Sequence, residues 1–407
     1  MPTGIRFVLK SYYHNFFSRT YLMTPNLPLS QNRLSWIDYD KGISIILVCY
    51  LHLSYLFQRY FHINPDTYWL LKYANIFLYG FRMPLFFMIS GILLQSNLIK
   101  KGLTGYVKNR FNTIFYPLLV WGVIRVTLQI AVGSMAPKHG SGIMYLWLLT
   151  DPRQIAPLWY LHALFCISVI YAFVKIRLKL SPLYNFGFGL LLYLVSDYVT
   201  TTGAEVGFFA DIFKYYIFFS IGDLISGLIL SDSAKKYFYS GRLFFMLLPP
   251  FILVQTIVMR YNIVHRDIYY VENVIPILYF LQGLVGCGLS IAFSFLLQKW
   301  DIFKSLKIIG SHSLYIYCMH YLVIIISGMF FVKMLHIHTT LLMVGTIWSL
   351  AVGIPILFFR LSMRYNFWWL FSLTKPKPVK SLRLVYKKSP PIVSESSSPV
   401  NQPAVNS

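Results

Sequence analysis

The sequence predicts an all-α integral membrane protein of about ten transmembrane helices with both termini cytoplasmic, and three observations predict it. Hydrophobic residues fill 57% of the 407 positions and charged residues only 12%, about half the charge of a soluble domain. Mean hydropathy is +0.60, and apolar runs recur along the chain, each of about 18 residues or more, enough to cross a hydrocarbon core about 30 Å thick. Lysine and arginine alternate between the connections in the pattern of the positive-inside rule.

The spans are read near residues 43–61, 74–98, 113–132, 157–174, 183–199, 212–230, 243–259, 275–297, 313–332 and 340–359. With the N-terminus in the cytoplasm, the cytoplasmic segments hold Arg6, Lys10, Arg19 and Arg33, then Lys100, Lys101, Lys108 and Arg110. Lys175, Arg177 and Lys179 follow, then Lys235, Lys236 and Arg242, then Lys299, Lys304 and Lys307, and the basic C-terminal tail. The opposite connections hold few: Arg59, Lys72, Lys138, Arg153, Lys214, Arg260, Arg266 and Lys333. Residues 1–35 form a basic cytoplasmic segment without a cleavable signal, 36–370 one membrane domain, and 371–407 a basic, Ser/Pro-rich tail too polar to fold. No internal repeat is visible, so an inverted-repeat transporter gains no support.

The net charge of +23 therefore reports topology and attraction to anionic lipid, and it excludes nucleic acid as a partner because no soluble basic domain remains. Cys49, Cys166, Cys287 and Cys318 all fall inside spans and form neither a disulfide framework nor a paired zinc spacing. His336 and His338, in one short connection, are too few to hold a metal.

Ionisable and amide side chains inside spans are expensive and mark sites or partnered structural groups. They are His52, Arg82, Arg125, His162, Asp197, Asp223, Gln282 and His320. The richest stretch opens the first span, Trp36-Ile37-Asp38-Tyr39-Asp40-Lys41-Gly42, and runs on to His52. Lys41 and His52 are eleven residues apart, so on a helix they share a face and are displaced by about 16 Å. A cation at the membrane surface below an imidazole at mid-membrane suits a long ligand with an anionic head.

These residues resemble a known family. Ile37-Asp38-x-x-Lys41-Gly42, Ile45-Ile46-Leu47-Val48 and His52 resemble the opening signature of membrane-bound acyltransferase family 3, with lysine as in its branch similar to fucose 4-O-acetylase. Phe81-Arg82-Met83-Pro84-Leu85-Phe86-Phe87-Met88-Ile89-Ser90-Gly91 resembles its second-helix motif. Leu158-Trp159-Tyr160-Leu161 with Leu164, and Ser313-Leu314-Tyr315-Ile316-Tyr317 with His320, resemble two later blocks. The departures are Arg82, where the family often has histidine; Thr113 after Arg110, where it often has a second arginine; and His162, outside its pattern.

The resemblance implies a multi-pass O-acyltransferase of the bacterial inner membrane. It implies transfer of an acyl group, usually acetyl from acetyl-CoA, to a sugar hydroxyl of an envelope glycan, free or lipid-linked. In that reading His52 is the general base or a covalent relay, since a neutral imidazole is favoured in a low-dielectric interior and accepts a hydroxyl proton. Lys41, helped by Arg110, holds the CoA phosphates, and Arg82 neutralises the thioester oxygen or binds the donor. Asp38 is the second catalytic candidate or, with Asp40, caps the first helix or orients Lys41. His320 contacts the donor or packs between helices. Against these stand structural readings: Lys41 as a snorkelling anchor, Arg82 as the buried partner of Asp197 or Asp223, Ser90 as a packing residue beside Gly91, and Trp159/Tyr160 as interfacial anchors. A transporter and a membrane scaffold are the competing functions. Acceptor sugar, acyl chain and oligomeric state stay open.

Overall fold

The computed structural model describes residues 34–60, 65–131, 142–155, 157–336 and 341–375. The N-terminal basic segment up to residue 33, Lys138, His338 and the tail beyond residue 375 lie outside the described residues. Among the described residues there is no strand.

The helices, in chain order, are α1 (Ser35–Tyr60), α2 (Pro65–Phe77), α3 (Arg82–Ile92), α4 (Leu94–Arg110), α5 (Tyr116–Ala131), α6 (Ile143–Thr150), α7 (Trp159–Arg177) and α8 (Pro182–Thr202). They continue with α9 (Phe209–Ile229), α10 (Asp232–Phe238), α11 (Arg242–Val264), α12 (Tyr270–Val274), α13 (Pro276–Trp300), α14 (Lys304–Ser311), α15 (Ser313–Met329) and α16 (Leu341–Arg364). Nine stretches of helix are long and apolar enough to cross a membrane among the described residues. The expected span at 183–199 is the continuous helix α8, but it is not one of these nine, because Asn185, Ser196 and Asp197 and its three terminal threonines dilute its apolar content.

The expected unbroken span at 74–98 is instead two helices, α2 and α3, separated by residues 78–81, with a second break at Leu93. Pro84 is the physical reason for the first break: it has no N–H to give to the carbonyl of residue 80 and is tolerated only in a first turn. The break strands carbonyls in the interior, and Arg82 satisfies them. Its Nε donates to Leu78 O at 2.7 Å, and Nη2 donates to Asn75 O at 2.9 Å. Nη1 donates to Asn75 Oδ1 at 2.9 Å. Gly80 admits the Gln282 side chain, whose Oε1 would stand 2.0 Å from a Cβ there.

α1 is the element around which the site is built. Its first turns lie against α14, where a Cβ on Gly310 would stand 1.7 Å from Asp38 O and one on Gly42 2.3 Å from Leu306 O. α13 runs beside them, with Trp36 stacked on Phe295 at 4.8 Å and Asp40 Oδ1 accepting from Ser290 Oγ at 2.5 Å and Ser294 Oγ at 3.1 Å. α3 meets the next turn through Ser44 Oγ, which donates to Arg82 O. α16 docks Trp348 Nε1 on Ile46 O at 3.1 Å, and α15 brings His320 to His52. Asp38 lies inside the first turn of α1 and not at its cap, because the helix already begins at Ser35.

Apolar side chains gain nothing from leaving lipid, so helices in a membrane associate through close backbone approach and polar contacts. α3 and α9 cross on reciprocal glycines: a Cβ on Gly91 would stand 2.0 Å from Phe219 O, and one on Gly222 2.1 Å from Met88 O. Asp223 on α9 accepts from Lys175 Nζ at 2.6 and 2.7 Å and from Tyr171 Oη at 2.9 Å. Asp223 is therefore the partner of Lys175 and not of Arg82. Near the Tyr60 end, Arg153 pairs with Asp211 at 2.6 Å and Lys214 with Glu272 at 3.0 Å, while Tyr79 Oη donates to Glu272. Burial pushes the Glu272 carboxyl up, but Lys214 and Arg153 pull harder, and it sits below its ordinary value.

Gly91→Ala forces two backbones apart and is expected to cost about 1–3 kcal/mol, read as a lower Tm in detergent. Gly345→Ala, where nothing lies within 4 Å of the added Cβ, is expected to leave Tm unchanged. Because folding depresses the Glu272 pKa, the stability it contributes is complete above the ordinary carboxylate range and is lost as pH falls through the folded value. Acid titration of Tm is expected to show this loss in wild type and not in Glu272→Gln, which starts lower at neutral pH.

Candidate active site

The sequence blocks that lie far apart in the chain meet inside the bundle. Phe86 and Phe87 of α3 pack on Tyr160 of α7 at 5.3 and 5.2 Å between ring centroids, and Tyr160 packs on Tyr317 of α15 at 5.2 Å. Tyr317 lies 5.7 Å from His320, and His320 lies 5.1 Å from His52 of α1. Tyr160 is thus buried at this junction and is not an interfacial anchor. Trp159 is half-buried, with the Arg153 guanidinium 4.3 Å over its ring.

His320 is completely buried, with 0% of its surface exposed. Its Nδ1 faces the carbonyls of Ile316 and Tyr317 at 3.0 and 2.9 Å. Both partners are acceptors, so the bonding pattern assigns the proton to Nδ1 and leaves Nε2 as a bare lone pair. That Nε2 has no hydrogen-bond partner among the described residues. His52 is half-buried and faces both His320 and the edge of Tyr321, 5.6 Å away.

Arg125 of α5 completes the layer. Its guanidinium lies 4.2 Å over the Tyr321 ring and within electrostatic reach of both His52 and His320. The residue is 5% exposed, and its Nε and Nη1 have no hydrogen-bond partner among the described residues. The same is true of Oε1 of Gln129, one turn further along α5. Buried polar atoms left unpaired are rare in folded proteins and concentrate where a ligand or reacting group completes them.

The Lys41 end of α1 carries the second feature. Asp38, Asp301, Lys304, Lys307, Ile308 and Ser311 line a cleft of about 390 Å³ between α1 and α14. Lys41 is half-buried beside Asp40, whose Oδ2 is buried and unpaired among the described residues. Continuous helix joins the two features: along it Lys41 lies about 16 Å from His52, and Asp38 on the cleft wall about 21 Å.

The structure therefore brings His52 and His320 together and places Asp38 and Lys41 at the opposite, cleft end. Arg82 is within electrostatic reach of His52 but holds the helix break with three hydrogen bonds. Arg110 Nε donates to Tyr106 Oη at 3.0 Å, and its guanidinium lies over that ring at the end of α4, within reach of Tyr160. Arg125 is visible in the sequence as an intramembrane charge, but its place beside the imidazoles is not. Tyr321 follows His320 directly, and Gln129 shares a helix face with Arg125; neither carried a signal of its own. Lys304 and Lys307 read in the sequence only as topology markers.

Two curated relatives were found, both named nodulation protein NolL. The one from Sinorhizobium fredii is 32% identical over 134 residues, 33% of this chain and 34% of the relative. The one from Mesorhizobium japonicum is 31% identical over 141 residues, 35% of this chain and 36% of the relative. Each match thus spans about a third of the relative's length. No solved structure matches the chain. The family model of acyltransferase family 3, described as an acyltransferase domain, matches residues 34–371, and with all four converging blocks inside that range, the chain belongs to this family.

Proposed function

We propose that this protein is a membrane O-acyltransferase that moves an acyl group, in the simplest case acetyl, from acyl-CoA to a hydroxyl of a cell-envelope glycan. The observation that carries the reading is the His52–His320 pair, two imidazoles 5.1 Å apart with one ring nitrogen held as an unpartnered acceptor. Acyl transfer to a hydroxyl needs a proton acceptor beside the attacking oxygen, and His52 is the one of the two that is not sealed off. His52 takes the hydroxyl proton. His320 Nε2, fixed in its tautomer by the α15 backbone, accepts a hydrogen bond from an amide N–H of the donor's pantetheine arm.

The cleft between α1 and α14 receives the nucleotide end of the donor, with Lys41, Lys304 and Lys307 as the cations. Lysine acts on phosphate as a point charge. Asp38 orients this end of the site, and Arg110 adds charge on the same face. The positive-inside distribution supports a cytoplasmic position for the cleft, and the membrane of this reading is a bacterial inner membrane, with acyl-CoA supplied from the cytoplasm. The thioester then reaches mid-membrane, and the acceptor meets it there from the Tyr60 side.

Labelled acetyl-CoA supplied to membranes holding the full chain tests this. His52→Gln is expected to lower transfer of label into glycan by about 10²–10⁴-fold with Tm unchanged. His320→Gln is expected to act mainly on the KM for acetyl-CoA; a loss confined to kcat in that variant would move the base to His320. Lys41→Ala is expected to raise that KM about 10- to 100-fold, the worth of one charge-assisted contact, with the gap narrowing as salt screens the wild type. Substrate movement across the membrane without acyl donor, unaffected by His52→Gln, would instead identify a transporter.

A further inference from the structure

We propose that Arg125 is the oxyanion donor of this site, its Nε–H and Nη1–H receiving the negative oxygen that forms when the thioester carbonyl is attacked. The proposal rests on the acyl-transfer reading above and adds to it the group that stabilises the intermediate.

Three observations converge on this residue. Its Nε and Nη1 are buried and have no hydrogen-bond partner among the described residues. No carboxylate among the described residues forms an ion pair with it, so a whole positive charge stands in the interior of the bundle with Tyr321, whose ring lies 4.2 Å away and whose hydroxyl is within its reach, and Tyr317 as neutral partners. Its electrostatic neighbours include the two imidazoles, His52 and His320, beside Tyr317 and Tyr321. A buried cation without a carboxylate partner is costly, and a protein retains that cost where a negative charge comes and goes.

The other groups within reach do not supply these donors. Arg82 also lies within electrostatic reach of His52, but its Nε, Nη1 and Nη2 are bonded to Leu78 O, Asn75 Oδ1 and Asn75 O. His320 gives its only N–H to backbone carbonyls. Main-chain N–H groups of α1, α5 and α15 at this depth are spent within their own helices.

The chemistry balances on the chain's own residues. The acceptor hydroxyl oxygen bonds to the thioester carbon while its proton passes to His52, and the carbonyl π pair moves onto oxygen. Arg125 donates two hydrogen bonds to that oxygen. The pair then returns, the C–S bond breaks, and the CoA thiolate takes the proton from the His52 imidazolium. Arg125 is partnered by a full anion only in the intermediate, so its binding energy lowers the barrier and does not merely tighten the ground state.

Two ketone analogues of acetyl-CoA separate these states in the purified full-length protein. Acetonyl-CoA keeps a planar carbonyl, whereas trifluoroacetonyl-CoA forms a hydrate, tetrahedral at carbon and with acidic hydroxyls. Wild type is expected to bind the trifluoro analogue about 10²-fold more tightly. Arg125→Gln is expected to lose most of that preference, as removal of an oxyanion donor does, while its affinity for acetonyl-CoA changes less than about 3-fold. Arg125→Lys, which keeps the charge but not the fork of donors, is expected to fall between them and serves if the glutamine variant does not fold. The proposal is overturned if the variants keep the full preference, or if they lose affinity for both analogues equally. Wild type that binds neither ketone would remove the acyl-CoA reading itself, and this proposal with it.

Discussion

In a bundle surrounded by hydrocarbon, each buried polar atom must find a partner inside the protein, because water is not available to supply one. That constraint separates the two arginines nearest His52. Arg82 completes a set of backbone acceptors that a helix break would otherwise leave stranded, and its geometry is closed. Arg125 meets an aromatic face and two imidazoles, and two of its donors stay unpaired. A shared residue type at a shared depth thus does opposite work: one holds the frame together, and the other carries an unresolved charge into the middle of it.

The frame that holds this charge in place is stiff for reasons that are local and steric. Gly91 and Gly222 let α3 and α9 approach until each backbone touches the other, and Gly42 and Gly310 do the same for α1 and α14. These contacts lock α1 at its first turns, so that His52, four turns on, inherits its position from the packing of Asp38 and Gly42. α15 is fixed through Tyr317, whose hydroxyl bonds to Pro157 O and ties it to the loop before α7. The two imidazoles are therefore held from opposite ends of the site, one through a glycine crossing and the other through a tyrosine.

Most spans were legible in the sequence, since apolar length alone sets them. The segment 183–199 shows where that reading weakens: α8 is helical throughout, but its polar residues place it below the other nine. The break in the second span has its sequence cause in Pro84, with Tyr79, Gly80 and Arg82 lowering the apolar content beside it, but a span drawn by apolar length runs through all of them. His52 and Lys41 could be placed on one helix face by counting residues, and His320 belonged to a motif. What could not be read was juxtaposition. Arg82 resembled a donor contact because nothing in the chain order reveals that Leu78 O and Asn75 O point back at it. Arg125 lies outside all four motif blocks, and its neighbours Tyr321 and His320 are nearly two hundred positions away.

On the proposed reading, the arrangement along α1 also bears on how one enzyme would join an acyl-CoA donor to an acceptor on a lipid-embedded or exported glycan. A phosphate-rich head cannot enter hydrocarbon, whereas a thin, weakly polar arm can cross part of it if its amides find partners on the way. The cleft beside Asp38 and the imidazoles about 21 Å farther along one helix divide these two demands between separate places. The charged end stays where Lys304 and Lys307 meet water. The reacting carbon arrives among groups whose charges water does not screen, where an unpaired guanidinium acts on a developing oxyanion most strongly. Moving the imidazoles to the surface would keep the base but lose that strength, and moving the lysines inward would impose on them the desolvation that water at the cleft spares them. With acyl-CoA as the proposed donor, the separation follows from the chemistry of that molecule as much as from the thickness of the membrane.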